Sequence, residues 1–330
     1  MNKEIKPLSY EGILEPIKSD LQRVETILIK NLETDIPLLN EVSQYILKAG
    51  GKRFRPALLL LAAALVGKID EKACITAAVI EYIHTATLLH DDVVDNADLR
   101  RNKKAARSIW GNEASVLVGD YLFTVSFQYL ADFEDPELIK ILSLATTAMA
   151  RGEIIQLERN NANATEEDYL KIIHYKTATL IGTAMSLGAK IAGADEPTCE
   201  KLYQCGLNLG MAFQMIDDAL DYNITEAKTG KDIGTDLKER KITLPLSHLI
   251  DRAESKDKQE VLDVLEMDVI TDEDVVRVFN LMKKYGSIDY TLKRAEGYSE
   301  ATKSAISDLP DNVYRTGIMQ LADFIISRKV

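Results

Sequence analysis

Residues 84–95 read HTATLLHDDVVD, in which three aspartates follow a run of small and apolar residues. A second stretch of the same kind, FQMIDDALD, occupies residues 213–221. In each Asp-Asp-x-x-Asp motif the first and last carboxylates are four residues apart, and positions i and i+4 of a helix lie on one face. Both stretches therefore predict a helix that ends in two carboxylates on the same side. The aspartates are Asp91, Asp92 and Asp95 in the first motif and Asp217, Asp218 and Asp221 in the second.

Two such carboxylate pairs that face each other would repel unless a cation lay between them. A small set of hard oxygen ligands, with room for water and phosphate oxygens, is typical of Mg²⁺ sites. The two motifs therefore predict a metal-filled gap that holds a diphosphate. A motif of this type on its own is most often a solvated acidic helix face. Its repetition, each time after an apolar helical stretch, argues against that simpler interpretation.

The rest of the chain indicates an all-α fold in a single domain over residues 1–330. Only 17 glycines and 8 prolines occur among 330 residues, a smaller share than the roughly 12 % of average proteins. Thr165 with Asp168, and Thr271 with Asp274, have the spacing of helix-capping boxes. Apolar residues recur at intervals of three and four, and no convincing two-residue alternation predicts a strand.

Composition excludes several classes of function. A net charge of −12 argues against nucleic acid as a partner, because nucleic-acid-binding surfaces are basic. Three cysteines without CxxC spacing predict small core residues in a reducing compartment, not disulfides or a zinc site. The N-terminus lacks an apolar signal core, and the longest apolar run, Ala57–Val66, is shorter than the roughly 20 residues of a membrane span. These features predict a cytoplasmic protein without a transmembrane segment.

Basic residues cluster at points where an anionic substrate would need them. Residues 50–56, GGKRFRP, place three cations in a glycine-led turn before an apolar helix. Arg100 and Arg101 follow the first acidic motif, and Lys176 and Lys231 add further donors. Each alone is more often an ordinary surface charge, but Arg and Lys are the usual protein ligands of phosphate. With two acidic motifs they predict sites for two diphosphates, one bound through metal and one through side chains.

The combination of GGKRFRP, HTATLLHDDVVD with the arginine pair after it, FQMIDD and GKDIGTDLKERKITLP resembles the trans-isoprenyl (polyprenyl) diphosphate synthase family. The likeness runs in order from about Asn40 to Leu246 and is strongest to long-chain bacterial members of the octaprenyl type. It implies a bundle of long, mostly antiparallel helices around a central cavity, a homodimer, and Mg²⁺ as cofactor, with three ions in each active site. It also implies binding of isopentenyl diphosphate and an allylic diphosphate, and allows peripheral membrane contact during product release.

The resemblance implies roles for individual residues through their places in the shared motifs. The metal ions would be bound by the six motif aspartates, Asp91, Asp92, Asp95, Asp217, Asp218 and Asp221. The allylic diphosphate would be bound by Arg100, Lys176, Thr177, Gln214 and Lys231. Isopentenyl diphosphate would be bound by Lys52, Arg55, His84 and Arg101. The catalytic residues would be Asp91, Asp95, Asp217, Lys176 and Gln214. Asn102 and Arg151 depart from the family pattern, which affects the expected loop geometry and local charge but not the chemistry.

The implied activity is Mg²⁺-dependent prenyl transfer by ionisation, condensation and elimination. The metal acts as a Lewis acid on the leaving diphosphate, the double bond of isopentenyl diphosphate attacks the allylic cation, and the departing pyrophosphate takes the proton. No Ser-His-Asp or Cys-His motif recommends a protein nucleophile. His90, beside Asp91, is interpreted as a structural or supporting residue, not as the base.

The residues before Asp91 predict a long product. Thr87 lies about one helical turn before Asp91, Ala86 flanks it, and Ile83 lies a further turn away. Each turn advances about 5.4 Å, on the order of one extended isoprene unit, and small side chains at positions 86 and 87 do not block a growing chain. We expect an all-trans product well beyond C20. The resemblance to octaprenyl-type members implies a length of about C40, grown from a primer such as farnesyl diphosphate.

Other functions are compatible with parts of the sequence. A shorter-chain synthase, making C15 to C20 products, would share the motifs and differ in the residues that limit product length. A class I terpene cyclase also uses a DDxxD motif in an all-α fold, but it needs no second diphosphate site, which Lys52, Arg55 and Arg101 would provide. A non-catalytic synthase subunit would be expected to lose one acidic motif. A purely structural cation-binding protein would need no substrate site.

Overall fold

Long helices account for nearly all of the regular structure. The computed structural model describes residues 9–30, 32–48, 50–101, 103–159, 165–222 and 234–328. The predictions for Asn102 and Lys231 lie outside these ranges. Helices of the N-terminal half are α1 Tyr10–Leu14, α2 Lys18–Lys30, α3 Pro37–Lys48, α4 Phe54–Val66, α5 Glu71–Val94, α6 Ala106–Ala131 and α7 Pro136–Arg159. Those that follow are α8 Glu166–Ile173, α9 Thr179–Ile191, α10 Glu196–Asp221, α11 Thr235–Lys238, α12 Leu244–Arg252, α13 Ser255–Glu266, α14 Asp272–Lys284, α15 Ser287–Ala305 and α16 Val313–Ile326.

Two predicted helix starts are confirmed atom by atom. At the start of α8 the Thr165 hydroxyl accepts the backbone N–H of Asp168, whose carboxylate accepts the backbone N–H of Thr165. Thr271 and Asp274 form the same reciprocal pair at the start of α14. Aspartate therefore fills the place that glutamate usually takes in a capping box, and satisfies two backbone donors that a helix start leaves open.

The chain divides into two compact units. The first contains the residues as far as Thr146, together with Thr183–Tyr203 and Asp308–Ile318. The second contains Thr147–Gly182, Gln204–Ser307 and the residues from Met319 onward. Four of the five points at which the chain passes from one unit to the other lie within helices α7, α9, α10 and α16. The prediction that the whole chain is one domain stays a prediction.

Helix α5 is the central helix of the first unit, where it packs against α2, α4 and α6. Helix α4 is buried along its whole middle, from Pro56 to Leu65, as expected for a helix that is apolar on every side. Among the described helices, α5 alone is long and apolar enough to cross a membrane. However, 72 % of its most apolar stretch is buried inside the protein. Such burial is typical of a core helix.

One short hairpin interrupts the helices of the first unit. Strands β1, Leu99–Arg100, and β2, Lys103–Lys104, pair antiparallel, with Arg100 opposite Lys103. The sequence predicted no strand here, because strands of two residues are too short to produce an alternating pattern. The hairpin matters for function because it carries Arg100 and leads into Arg101.

The second unit has its own apolar core, built from α12, α13 and α14. Its fully buried side chains include Leu246, Leu249, Val261, Val275 and Met282. Between α8 and α9 the backbone widens into one π-helical turn, His174–Ala178. Turns of this kind are rare and often mark functional sites. This one contains Lys176 and Thr177.

Close helix packing in the first unit depends on a glycine of α9. A Cβ atom at Gly188 would lie 2.2 Å from the carbonyl oxygen of Leu59 in α4. Backbone cannot yield as a side-chain tip can, so we expect Gly188→Ala to lower the free energy of unfolding by about 1–3 kcal/mol through overpacking. Urea denaturation measures this. Gly297→Ala is the matched control, because nothing lies within 4 Å of its added Cβ and alanine favours the helix by up to about 1 kcal/mol. Equal effects of the two substitutions would contradict this account of α4–α9 packing.

Candidate active site

The first acidic motif lies at the C-terminal end of α5. Asp91 and Asp95 are partly exposed, and the backbone N–H of Asp95 donates to the carbonyl of Asp91 at 2.8 Å. Asp92 is fully buried. Its Oδ1 accepts Arg100 Nε at 2.7 Å, and burial raises the pKa of Asp92 against the opposing effect of the Arg100 guanidinium. The motif therefore presents two carboxylates outward and uses the third to hold an arginine.

The glycine-led turn before α4 separates its three cations. Arg53 lies in the left-handed region, with φ 48°, and turns into the protein. Its Nη1 donates to Glu81 Oε1 at 2.9 Å and its Nε to Glu25 Oε1 at 2.5 Å, while Nη2 donates to the carbonyl of Leu47. Arg53 therefore stabilises the turn from the inside of the protein. Lys52, which is exposed, and Arg55, which is half-buried, are the two cations left on the outer side.

The residues predicted for isopentenyl diphosphate lie close together within the first unit. A Cβ atom at Gly51 would be 3.0 Å from Nη1 of Arg101, which places Arg101 against the turn. The Tyr10 hydroxyl donates to the carbonyl of Lys52 at 2.7 Å and anchors the turn from α1. His84 lies among Arg53, Arg55, Arg100 and Arg101, here called the arginine cluster.

Electrostatics support an anion site at the arginine cluster. Burial, and then the nearby guanidinium groups of the cluster, hold the pKa of His84 well below its usual range. Burial and two neighbouring arginines also lower the pKa of Arg101, against the opposing effect of Glu81. Arg53 is paired with Glu25 and Glu81, and Arg100 with Asp92. The positive potential that the cluster adds beside His84 favours a bound anion. His84 stays neutral, so it can offer a ring N–H without adding to the repulsion.

The second acidic motif ends α10 in the second unit, and its three carboxylates have different partners. Arg328 Nη1 donates to Asp217 Oδ1 at 2.5 Å. Asp218 is buried and accepts two hydrogen bonds, from Tyr169 Oη at 2.7 Å and from Gln214 Nε2 at 2.8 Å. Burial, and then the neighbouring Asp217 and Asp221, raise the pKa of Asp218 to about 7.

Asp221 holds the start of α11. Its carboxylate accepts the backbone N–H of Thr235 at 3.2 Å and of Asp236 at 3.0 Å, and so caps the start of α11. The Asp236 carboxyl lies close to it, and burial followed by the charges of Asp221 and Asp218 raises the Asp236 pKa well above its ordinary value. Asp236 thus forms a group of acids with Asp218 and Asp221. The sequence analysis gave Asp236 no role, although it lies in the quoted stretch GKDIGTDLKERKITLP.

Lys176 and Thr177 are fixed by contacts on two sides of the π-helical turn. Lys176 Nζ lies 2.5 Å from Glu153 Oε2 and 3.3 Å from Gln156 Oε1, both on α7. Thr177 Oγ1 donates to Gln214 Oε1 of α10 at 2.9 Å. The approach of α7 needs Gly152, because a Cβ there would lie 2.9 Å from the backbone N of Lys176.

Sequence reasoning missed several residues that contact the predicted site residues, among them Tyr10, Tyr169, Glu153, Gln156, Asp236 and Arg328. Glu153 and Gln156 are three residues apart on one helix, a spacing that could have paired them. Nothing in the sequence signals Arg328, which lies 111 positions after Asp217. Arg151, the departure from the family pattern, lies over the ring of Tyr175 at 5.4 Å.

The residues predicted to limit product length occupy the middle of α5. Ile83 and Ala86 are fully buried, and Thr87 is half-buried. The Thr87 hydroxyl donates to the carbonyl of His84 at 2.8 Å. Because this hydroxyl is satisfied within its own helix, Thr87 presents mainly its methyl group to its surroundings.

The donor set fits Mg²⁺ that is partly coordinated by substrate. Among the residues that the structure describes, no three His, Cys, Asp or Glu side chains converge closely enough to hold a metal ion by themselves. Mg²⁺ commonly uses one or two carboxylates and takes its other ligands from phosphates and water. Asp91 and Asp95, on one side of the end of α5, fit that pattern, as does Asp217 at the end of α10.

Comparisons with known proteins agree with these motifs. The family model described as Polyprenyl synthetase matches residues 36–282. The octaprenyl diphosphate synthase of Escherichia coli K12 is 37 % identical over 97 % of this chain and 99 % of its own length. A decaprenyl diphosphate synthase structure from Rhodobacter capsulatus has a TM-score of 0.92 at 37 % identity, covering 97 % of this chain and 99 % of that one. A polyprenyl synthase structure from Caulobacter crescentus CB15, complexed with calcium and isoprenyl diphosphate, has a TM-score of 0.91 at 38 % identity and covers 98 % of both chains. The predicted all-α, isoprenoid-synthase type of fold is confirmed.

The Arg53 ion cluster gives a stability test of the turn beside the arginine cluster. The Glu81 side chain is only 5 % exposed, whereas that of Glu25 is 42 % exposed. We expect Glu81→Ala to lower the free energy of unfolding by about 3 kcal/mol, because it leaves Arg53 buried with less compensation. Glu25→Ala, its matched control, should cost about 1 kcal/mol or less, since exposed pairs contribute little. Urea denaturation distinguishes the two, and a loss from Glu25→Ala as large as that from Glu81→Ala would contradict the internal role of Arg53.

Proposed function

Because the chain belongs to the polyprenyl synthetase family and is a trans-prenyltransferase, we propose that it extends an allylic diphosphate with isopentenyl diphosphate. The product is a long-chain all-trans polyprenyl diphosphate, and octaprenyl length is the best-supported value, as in the Escherichia coli relative. The observation that carries the proposal is the arginine cluster around neutral His84. It provides a site for a second diphosphate held by side chains alone, which a terpene cyclase does not need.

Asp91 and Asp95 would hold Mg²⁺ in the first unit and Asp217 would hold it in the second; when bound, the metal stabilises the departing diphosphate as a Lewis acid. Arg100, held by Asp92 in the first unit, and Lys176, held by Glu153 and Gln156 in the second, each keep in this proposal their predicted role toward an allylic phosphate. Lys52, Arg55, His84 and Arg101 bind isopentenyl diphosphate. Asp92, Asp218 and Asp221, the other predicted metal ligands, accept hydrogen bonds that would compete with a metal, and Asp217 likewise accepts one from Arg328.

Thr177 and Gln214 face the chemistry as dipoles in this proposal. The Thr177 hydroxyl donates a hydrogen bond to Gln214. The lone pairs of its oxygen therefore remain to stabilise positive charge that develops on the allylic carbons. The pyrophosphate that leaves takes the proton lost from the condensed product. Three Mg²⁺ ions, a homodimer and a farnesyl primer remain predictions from the family resemblance, and a cytoplasmic location remains a prediction from the composition of the sequence.

Purified protein incubated with Mg²⁺, labelled isopentenyl diphosphate and farnesyl diphosphate tests the function. We expect chain growth to a long polyprenyl diphosphate, separated by chromatography. Asp91→Asn should lower kcat by roughly 100-fold or more, because a carboxylate that serves the leaving diphosphate is lost. Asp98→Asn is the control, since Asp98 is 86 % exposed and pairs only at the surface with Arg107. A cyclic hydrocarbon, or no turnover by the unmodified protein, would overturn the proposal.

Product length gives a separate prediction. We expect Ala86→Tyr to shorten the product by several isoprene units, because an aromatic ring would fill the path beside Asp91 about one turn away. Thr85→Tyr places the same bulk on α5 about 100° further round the helix and should leave the longest product unchanged. Chromatography of the dephosphorylated prenyl alcohols measures both. An unchanged profile for Ala86→Tyr, in protein with a normal melting temperature, would refute the assigned path.

A further inference from the structure

Four side chains of the second unit form a chain of hydrogen bonds, here called the Tyr169 relay: Tyr169, Asp218, Gln214 and Thr177. Tyr169 belongs to α8 and Thr177 to the π-helical turn that follows it. Asp218 and Gln214 lie one turn apart on α10. Both ends of the relay therefore join α10 to α8 and the π-helical turn after it. The hydrogen bond is 2.7 Å long at Tyr169 and 2.9 Å long at Thr177.

The donor and acceptor groups of the four side chains give each hydrogen bond in the relay a direction. The Tyr169 hydroxyl donates to Asp218 Oδ2, and Asp218 Oδ1 accepts the Gln214 amide. The Gln214 amide must then turn its NH₂ group toward Asp218 Oδ1 and its oxygen toward Thr177. Because that oxygen accepts, the Thr177 hydroxyl must donate its hydrogen there. The lone pairs of Thr177 Oγ1 are left to point away from Gln214.

We propose that Tyr169 is a positioning residue for prenyl transfer, which acts through Asp218 and Gln214 to orient the Thr177 hydroxyl. This inference rests on the proposed function. Without the Tyr169 hydroxyl, Asp218 Oδ2 loses the donor that the described part of the chain supplies to this buried carboxyl. Leaving a buried acceptor unsatisfied is unfavourable, so Asp218 and the Gln214 amide can rotate. Thr177 is then free to turn its hydrogen toward the allylic carbons, where a positive dipole opposes the developing charge.

Helix α8 has other anchors, so loss of the Tyr169 hydroxyl does not release the helix. The Thr165–Asp168 capping box fixes its start. Glu166 accepts the Tyr290 hydroxyl at 2.7 Å and pairs with Arg294 at 3.1 Å. Tyr290 is thus a second tyrosine that donates to a carboxylate and holds the same helix, but it lies outside the relay. It provides a matched control.

Steady-state kinetics of Tyr169→Phe test the inference. We expect kcat to fall about tenfold, the size of effect expected when a roughly 1.4 kcal/mol orienting contact is lost. The KM for isopentenyl diphosphate should change by less than twofold, because the arginine cluster is untouched. Tyr290→Phe should leave kcat within twofold of the unmodified enzyme. Equal losses from the two variants would reduce Tyr169 to a packing role and overturn the proposal.

A double-mutant cycle with Thr177→Val tests whether the effect passes through Thr177. In the Thr177→Val background, Tyr169→Phe should lower kcat by less than twofold, because there is no hydroxyl left to orient. A full tenfold loss in that background would show that Tyr169 acts by another route and would overturn the proposal. Absence of turnover by the unmodified enzyme would instead overturn the proposed function, and this inference with it. Circular dichroism of each variant checks the fold.

Discussion

Close approach of like charges is the constraint on which the rest of the structure depends. In the first unit the arginine cluster lies around a half-buried histidine whose pKa it helps to lower. In the second unit burial raises the pKa values of Asp218, Asp221 and Asp236, and the charge of Asp221 adds to the shift at both Asp218 and Asp236. Neither arrangement is stable by Coulomb energy alone. Both are held in place by partners that are not themselves substrate ligands: Glu81 for Arg53, and Tyr169 for Asp218.

The apolar helices supply the rigidity that this arrangement needs. Helix α5 is buried along most of its length and brings His84 and the first acidic motif to fixed positions. Glycines permit backbone contact where the charged groups need support, as at Gly152 beside Lys176. A functional group displaced by an ångström loses much of its effect. The many buried aliphatic side chains therefore serve the site as well as the stability of the fold.

Most of the fold and much of the site could be predicted from sequence because their signals are local. Helical periodicity and the capping boxes at Thr165 and Thr271 each occupy a few adjacent residues. The clustering of Arg55, His84 and Arg101 could be inferred only through the family resemblance, since nothing local joins positions so far apart. The Arg53 side chain points inward because its backbone is in the left-handed region, and the local sequence does not predict that conformation for an arginine. The contacts of Tyr169 and Arg328 depend on packing between distant segments, which no spacing rule captures.

The doubled aspartates in the two motifs are not redundant copies of one ligand. Adjacent residues on a helix point about 100° apart, so the second aspartate of each motif cannot face the same way as the first. Asp92 and Asp218 accordingly lie buried, while Asp91 and Asp217 are more exposed. Each buried aspartate holds a donor that is itself proposed to serve the allylic substrate: Arg100 for Asp92, and Gln214 for Asp218. In each motif a proposed metal ligand is therefore followed directly by an aspartate that orients a neighbouring side chain. Substitution of the second aspartate would accordingly disturb substrate orientation even where the metal ligands remain intact.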